Sequence, residues 1–147
     1  MGSLNKLEGR IIPLTKLSGP EQMAIDNMLL KKAIEGKTFN AFFRLYLWRG
    51  NCLSIGKNQK NISKEWIDIS KKNKLKIIRR PTGGSAVLHS GGITYSLIMK
   101  DETRNKEQAY FNHCQWLIEA FKELGIKLNF GNDSQNLLEV NCFASAS

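Results

Sequence analysis

The sequence lacks any apolar run long enough to span a bilayer, and its first residues lack the apolar core of a signal peptide. It has only three cysteines, Cys52, Cys114 and Cys142. Because their number is odd and their spacing wide, they argue against a disulfide framework and against a zinc site. We therefore expect a protein of a reducing compartment, the cytoplasm, with no membrane partner and no bound metal.

Acidic residues are scarce beside basic ones. Asp and Glu total 13 against 22 Lys and Arg, which gives a formal net charge of +9. Such an excess can attract nucleic acid, a membrane surface or an acidic protein. The lysines are spread over separate segments, and no stripe combines aromatic with basic residues, so we expect no nucleic-acid partner.

At 147 residues the chain has the length of one domain, covering residues 1–147. Ser18 and Glu21 stand in capping-box spacing around Pro20, which predicts a helix that ends near Gly36. Further helices are predicted from Ser63 to near Asn73 and from Lys106 to Leu124. Strands are predicted over Phe42–Trp48, Cys52–Lys57, Leu75–Arg79, Ile93–Met99, Ile126–Phe130 and Leu137–Val140. The order indicates an α+β fold with a mixed or antiparallel sheet flanked by helices.

A run of eleven residues, Arg79 to His89, carries two arginines, two adjacent glycines and then small apolar residues. Glycines allow close approach to the backbone, and an arginine fork suits phosphate or carboxylate. The run therefore reads as the wall of a site for an anionic, partly apolar ligand. An ordinary hairpin connection rich in turn residues is the alternative on spacing alone.

Several blocks of this chain, in this order, resemble the biotin/lipoate protein ligase family, specifically its lipoate branch. The run Arg80 to His89 followed by Thr94-Tyr95-Ser96 is similar to the family signature. The stretches 19–26, 44–48 and 54–59 are similar to its first helix and first two strands. The resemblance implies a fold of the class II aminoacyl-tRNA synthetase and biotin synthetase type.

The resemblance also implies roles for the residues of the run. Arg80 matches a ligand-contacting arginine, and Ser85, Ala86, Val87 and Leu88 match a strip along the acyl or adenylate group. Gly83 and Gly84 would let this strip approach the ligand closely. His89 is a weak candidate for a general base, since a single histidine after an apolar run is more often a structural hydrogen-bonding residue.

Cys142 follows a predicted strand and precedes Phe143 and a run of small residues. A thiol in such a loop is an inert cysteine or, where a cation lowers its pKa, a nucleophile. The Cys142-Phe143 block resembles that of the family's cysteine-dependent octanoyltransferases. This implies transfer of an octanoyl or lipoyl group from acyl carrier protein to Cys142, and then to a lysine of a lipoyl domain or of the glycine-cleavage H protein. No cofactor is implied for that reaction.

Two alternatives remain open at this point. The first is an ATP-dependent lipoate–protein ligase, which would use ATP and Mg²⁺ and leave Cys142 incidental. The second is an inactive fragment that only binds acyl chains or partner proteins. The family's Lys-x-x-Gly-Ser-Ala-like motif is not found, so we expect the N-terminal portion of a catalytic domain whose C-terminal part is missing. We further expect little transfer activity from this polypeptide alone, and a homodimer formed through exposed sheet surface.

Overall fold

The computed structural model describes residues 8–36, 39–73, 75–99, 103 and 105–130. These residues form two compact units, 8–99 and 103–130. The first unit contains the strands β1 (Gly9–Leu17), β2 (Ala41–Trp48), β3 (Cys52–Ile55), β4 (Lys76–Arg79), β5 (Val87–His89) and β6 (Ile93–Met99), with the helices α1 (Gly19–Glu35) and α2 (Lys64–Asn73). The second contains α3 (Lys106–Glu123). No helix of the described part is long and apolar enough to cross a membrane.

Helix α1 begins and ends where its sequence signals stand. The backbone N–H of Ser18 donates to the Glu21 carboxylate at 2.8 Å, and Pro20 occupies the first turn, where a backbone N–H is not needed. At the other end Gly36 adopts a φ of 58° and donates to the Lys32 carbonyl at 3.0 Å. The predicted boundaries of this helix are confirmed.

The first unit contains two three-stranded sheets, each with one parallel and one antiparallel pair. The first sheet has the order β1-β2-β6, with β1 parallel and β6 antiparallel to β2. The second has the order β4-β3-β5, with β4 parallel and β5 antiparallel to β3. The prediction of an α+β fold with a mixed sheet is confirmed.

Buried and more exposed side chains alternate along β2, and this pattern shows which face of the first sheet packs against the core. Phe42, Arg44, Tyr46 and Trp48 are buried, whereas Leu45 is exposed. The core therefore lies on the even-numbered face of β2. Its two apolar clusters are Met23, Tyr46, Trp48 and Cys52 with Ile78, and Leu29, Ala33 and Phe42 with Ile12, Ile25, Phe39 and Ile98.

Two strands were not predicted. β1 contains Pro13, which cannot donate to a ladder and weakens the strand pattern. β1 lies at the end of the strand order β1-β2-β6, where such a residue is tolerated. β5 has only three residues and lies inside the run Arg79 to His89, for which the sequence predicted a ligand-site wall and no strand.

Two of the predictions need correction. Residues 126–130 do not form a strand; instead the Phe130 ring stacks on Phe111 at 4.7 Å between centroids and meets Tyr110 edge-on at 6.3 Å. The alternative interpretation of the run Arg79 to His89, an ordinary hairpin connection between the strands predicted before and after it, is also wrong, because β4 and β6 belong to different sheets. The predicted strand Leu137–Val140 lies outside the described residues.

Candidate functional site

The glycine loop, defined as Arg80–Ala86, connects the two outer strands of the second sheet. β4 and β5 both pair with β3, so the loop crosses the end of the central strand. The N–H of Arg80 donates to the Ile55 carbonyl at 3.0 Å, and the N–H of Lys57 donates to the Thr82 carbonyl at 2.8 Å. The loop is therefore tied through its backbone to the segment that follows β3.

The guanidinium of Arg80 holds the loop from within. Nε and Nη2 donate to the Gly83 carbonyl at 3.1 and 2.7 Å, and Nη2 also donates to the Ser85 carbonyl at 2.7 Å. Nη1 donates to the carbonyl and the hydroxyl of Ser54 at 3.0 and 3.3 Å. Since a guanidinium has five N–H groups, the full donor set is matched by acceptors in the protein. Partial burial lowers the pKa of Arg80 from its ordinary value.

Arg79 binds backbone carbonyls of the neighbouring loop, which follows β3. Its Nη1 lies 2.7 Å from the carbonyl oxygen of Gly56, 3.2 Å from that of Lys57 and 2.8 Å from that of Gln59. The two adjacent arginines, predicted to suit an anion, thus bind backbone carbonyls of two facing loops. Direct contact between Arg80 and a ligand stays a prediction.

Two glycines are required by the close contact of these loops. A Cβ on Gly56 would lie 1.9 Å from the carbonyl oxygen of Gly84. Gly84 itself has a φ of 89°, and a Cβ there would lie 2.9 Å from Nη2 of Arg80. At Gly83 a Cβ would meet nothing within 4 Å. In the structure, the atoms that lie close to Gly84 therefore belong to the protein itself, to Gly56 and Arg80.

The end of the predicted apolar strip lies in β5, whose side chains alternate between the two faces of the second sheet. In register with β3, Val87 is opposite Ser54, Leu88 opposite Leu53 and His89 opposite Cys52. Successive side chains of a strand point to opposite faces, so Leu88, which is 61% exposed, lies on the face opposite Val87 and His89. Of the strip Ser85 to Leu88, only Val87 and Leu88 belong to β5, and their side chains lie on opposite faces.

His89 is fixed on two sides. Its Nε2 lies 2.8 Å from the Ser54 hydroxyl oxygen. Its ring stacks on the Trp48 indole with centroids 3.9 Å apart and planes 16° apart. Trp48 in turn donates from Nε1 to the Thr94 hydroxyl at 2.8 Å. Burial, and then the charge of Arg80, lower the pKa of His89 from its ordinary value.

Residues 18–141 match the family model of the lipoyl protein ligase A/B catalytic domain. This chain belongs to that family. Among curated relatives it is 33% identical to Octanoyltransferase LipM of Oceanobacillus iheyensis, over 82% of the chain and 46% of the relative. It is 34% identical to Octanoyltransferase LipM of Carboxydothermus hydrogenoformans, over 94% of the chain and 53% of the relative. The chain thus spans about half the length of the curated relatives it matches.

Solved structures of lipoate–protein ligases share the fold of this domain. A proposed lipoate protein ligase from T. acidophilum with bound lipoic acid superposes with a TM-score of 0.72 at 22% identity, covering 91% of this chain and 55% of its own. Lipoate-protein ligase A bound with ATP superposes with a TM-score of 0.68 at 22% identity, covering 82% and 48%. The fold expected from the resemblance is confirmed.

The two described cysteines of this lipoyl protein ligase domain have different surroundings. Cys52 is buried in β3 against the start of α1, where a Cβ on Gly19 would lie 2.5 Å from its Sγ. Burial raises the pKa of the Cys52 thiol to about 11. Cys114 is half-buried on α3. Cys142, the predicted nucleophile, and Phe143 lie outside the described residues.

Sequence reasoning missed a buried polar cluster formed by Gln22, Asp26, Arg44 and Tyr46. Nε of Arg44 lies 2.9 Å from Oδ1 of Asp26, and Nη1 and Nη2 donate to the side chain and carbonyl of Gln22 at 2.9 Å each. The guanidinium carbon also lies 4.1 Å from the Tyr46 ring centroid. The cluster attaches α1 to β2, and a charged residue in the middle of an otherwise apolar strand was its sequence signal.

Ser54 and Gly56 were the other residues whose roles the sequence did not reveal. Both lie in the block 54–59 that carried part of the family resemblance, yet their contacts depend on a loop more than twenty residues further along the chain. A glycine that ends a buried strand is the available signal for close backbone approach at Gly56.

Proposed function

We propose that the protein is an acyltransferase of lipoate metabolism that moves an octanoyl group from acyl carrier protein, by way of Cys142, to a lysine of a lipoyl domain or of the glycine-cleavage H protein. The observation that carries this proposal is the similarity, at 33–34% identity, to relatives named Octanoyltransferase LipM. The Cys142-Phe143 block supports it, because a cysteine thiolate can take up an acyl group as a thioester.

The reaction balances as two successive acyl exchanges. The Cys142 thiolate attacks the carbonyl carbon of the carrier thioester, a new C–S bond forms, and the carrier thiolate leaves. The ε-amine of the acceptor lysine then attacks the Cys142 thioester, an amide forms, and the Cys142 sulfur leaves with the proton that the amine loses. Both steps start from a thioester, so no nucleotide is consumed.

The glycine loop supplies a rigid boundary for the acyl group. Its carbonyls are fixed by Arg80, and its backbone is tied to the segment after β3. An eight-carbon chain gains about 0.8 kcal/mol for each methylene removed from water, so binding depends on how well this boundary excludes solvent. Because the loop is already ordered before the ligand binds, binding does not incur the entropy cost of ordering it.

The proposal is tested by intact-mass analysis of the purified protein after incubation with octanoyl-acyl carrier protein. The adduct reports the first acyl exchange alone and does not require complete transfer. We expect an added octanoyl group that is removed by hydroxylamine, maps to Cys142 and is abolished by Cys142→Ala. Cys114→Ala is the matched control and should keep the adduct. An adduct that maps to another residue, or that survives Cys142→Ala, contradicts the proposal.

The second function is an ATP-dependent lipoate–protein ligase acting through a lipoyl-adenylate. It is favoured by one observation, the shared fold with a ligase that was solved with ATP bound. ATP–pyrophosphate exchange driven by free lipoate and Mg²⁺, and unaffected by Cys142→Ala, would select this function. Tight binding of an octanoyl ligand with neither exchange nor adduct would select the binding fragment.

Partners of this protein are part of the same proposal. A lipoyl-domain acceptor fits the family, since one fold relative was described together with its E2 lipoyl domain. Acyl carrier protein as donor follows from the proposed reaction. A homodimer stays a prediction, and its measurement is the molar mass from light scattering at micromolar concentration.

A further inference from the structure

The hydroxyl of Ser54 lies at the centre of the contacts beneath the glycine loop. Ser54 is the third residue of β3 and is 2% exposed. Its Oγ lies 2.8 Å from Nε2 of His89 and 3.3 Å from Nη1 of Arg80. One buried hydroxyl therefore contacts both the arginine that holds the loop and the histidine that follows it.

The direction of one of these two hydrogen bonds is fixed by its donor. A guanidinium can only donate, so the Ser54 oxygen accepts from Arg80. The hydroxyl has one proton, and this proton is then free to point at Nε2 of His89. The hydroxyl oxygen has two lone pairs, so the direction of its bond to Nε2 depends on the tautomer of His89. When the hydroxyl donates, Nε2 carries no proton, and His89 is neutral with its proton on Nδ1.

The charges around His89 agree with a neutral ring. Arg80 is the charged group whose field acts on it. Cys52, its partner in the register between β3 and β5, is an uncharged thiol at neutral pH. The Trp48 indole covers one face of the ring and carries no charge. A second positive charge on the half-buried His89, beside Arg80, would be unfavourable.

We infer that Ser54 is a positioning residue of the proposed acyl site, which orients Arg80 within the glycine loop and holds His89 as the neutral tautomer with its proton on Nδ1. This inference rests on the proposed function for the identity of the ligand. It also assigns Nε2 of His89 to a hydrogen bond with the Ser54 hydroxyl inside the protein.

The tautomer is measured by two-dimensional ¹⁵N–¹H spectroscopy of protein labelled at histidine. The chain has two histidines, so a His113→Gln variant leaves His89 as the single signal. We expect the Nδ1–H pattern in the parent protein. Ser54→Ala should produce a mixture of tautomers and raise the pKa of His89, whereas Ser54→Thr, which keeps the hydroxyl, should restore the parent pattern. Ser54→Val, matched in shape to threonine, should behave like alanine.

The same variants are then compared in acylation of Cys142 by octanoyl-acyl carrier protein. We expect Ser54→Ala to raise KM about tenfold, the effect of losing one hydrogen bond to a charged group, with a smaller change in kcat. An Nε2–H pattern in the parent protein, or identical spectra for Ser54→Ala and Ser54→Thr, overturns the inference. The expected spectra combined with no adduct on Cys142 in the parent protein instead overturn the proposed function and the acyl part of this inference.

Discussion

Gly56 and Gly84 touch backbone to backbone, so closely that a Cβ on Gly56 would lie 1.9 Å from the Gly84 carbonyl oxygen. The contact joins the segment after β3 to the glycine loop, two parts of the chain that the sequence separates by the whole of α2 and β4. Since the obstructing atom is backbone, it cannot rotate away as a side chain could. The position of the loop therefore depends on the absence of a side chain at residue 56.

Gly56→Ala should displace the glycine loop. We expect a loss of about 1–3 kcal/mol in the free energy of unfolding, the usual result of forcing an atom into occupied space. Weaker binding of an octanoyl ligand should accompany it, because the loop carbonyls held by Arg80 would shift. Urea unfolding and isothermal titration calorimetry measure the two effects.

Gly92→Ala is the matched control for this substitution, since a Cβ at residue 92 would meet nothing within 4 Å. This variant should keep both the stability and the ligand affinity of the parent protein. If the Gly56 and Gly92 variants unfold at the same urea concentration, the close contact does not hold the loop.

The ion pair between Asp26 and Arg44 should be among the most sensitive points of the first unit. Arg44 is 1% exposed, so Asp26→Leu would leave its charge buried without its partner. We expect a loss of about 3–5 kcal/mol in unfolding free energy, measured by urea unfolding followed by circular dichroism. Glu35→Ala, at an exposed position of the same helix, should change stability by less than about 0.5 kcal/mol.

A second substitution separates the charge from the lost packing. The double variant Asp26→Leu with Arg44→Met removes both charges, and it should recover part of the stability lost in the single variant. Equal stability of the single and double variants would show that the buried charge is not the cause.

Local signals in the sequence were enough to find most elements of this fold. Ser18, Pro20 and Glu21 lie within four residues of one another and specify the start of α1 through contacts they make among themselves. The prediction that residues 126–130 form a strand failed for the opposite reason. An apolar run becomes a strand only where a partner strand is available, and Phe130 instead packs on aromatic rings of α3.

The sequence predicted which segment forms the candidate site, but it did not predict which residues that segment contacts. The run Arg79 to His89 is identifiable from its glycines and arginines alone. Its arginines, however, bind carbonyls that are 20 to 26 residues away or within the loop itself, and these partners depend on the order β4-β3-β5. Sequence spacing does not specify this strand order. Arg80 could therefore be identified as a candidate site residue, whereas its hydrogen-bond partners could not be predicted.

High pH should destabilise the protein through two buried groups. Burial raises the pKa of Cys52 from 9.0 to about 11, and burial followed by the charge of Asp26 raises that of Tyr46 from 10.0 to about 12. Because the folded state favours the neutral forms, their contribution is fully present below pH 9 and is lost as pH rises through 11 and 12. Urea midpoints measured across this range should fall.

Two variants test how much of this loss of stability at high pH each of the two buried groups causes. Cys52→Ala should reduce the fall between pH 9 and 11, and Tyr46→Phe should reduce the fall between pH 10 and 12. Each is compared with its own stability at neutral pH, so that any change in packing cancels. A fall of the same size in both variants as in the parent protein would mean that other groups, such as the lysines, cause it.

The net charge of +9 should matter for the proposed carrier protein, since acyl carrier proteins are expected to be acidic. Attraction between exposed charges is screened over about 10 Å at 0.1 M salt, so KM for octanoyl-acyl carrier protein should rise several-fold when salt is increased above that concentration. A small neutral octanoyl thioester should show no such dependence. The exposed Lys57 is adjacent to the glycine loop, because its N–H binds the Thr82 carbonyl, and the exposed Lys60 follows Gln59, whose carbonyl is bound by Arg79. Changing both to glutamate should therefore weaken the carrier reaction more than the same change at Lys31 and Lys32, which are exposed on α1. Equal effects of the two pairs would place the carrier elsewhere on the surface.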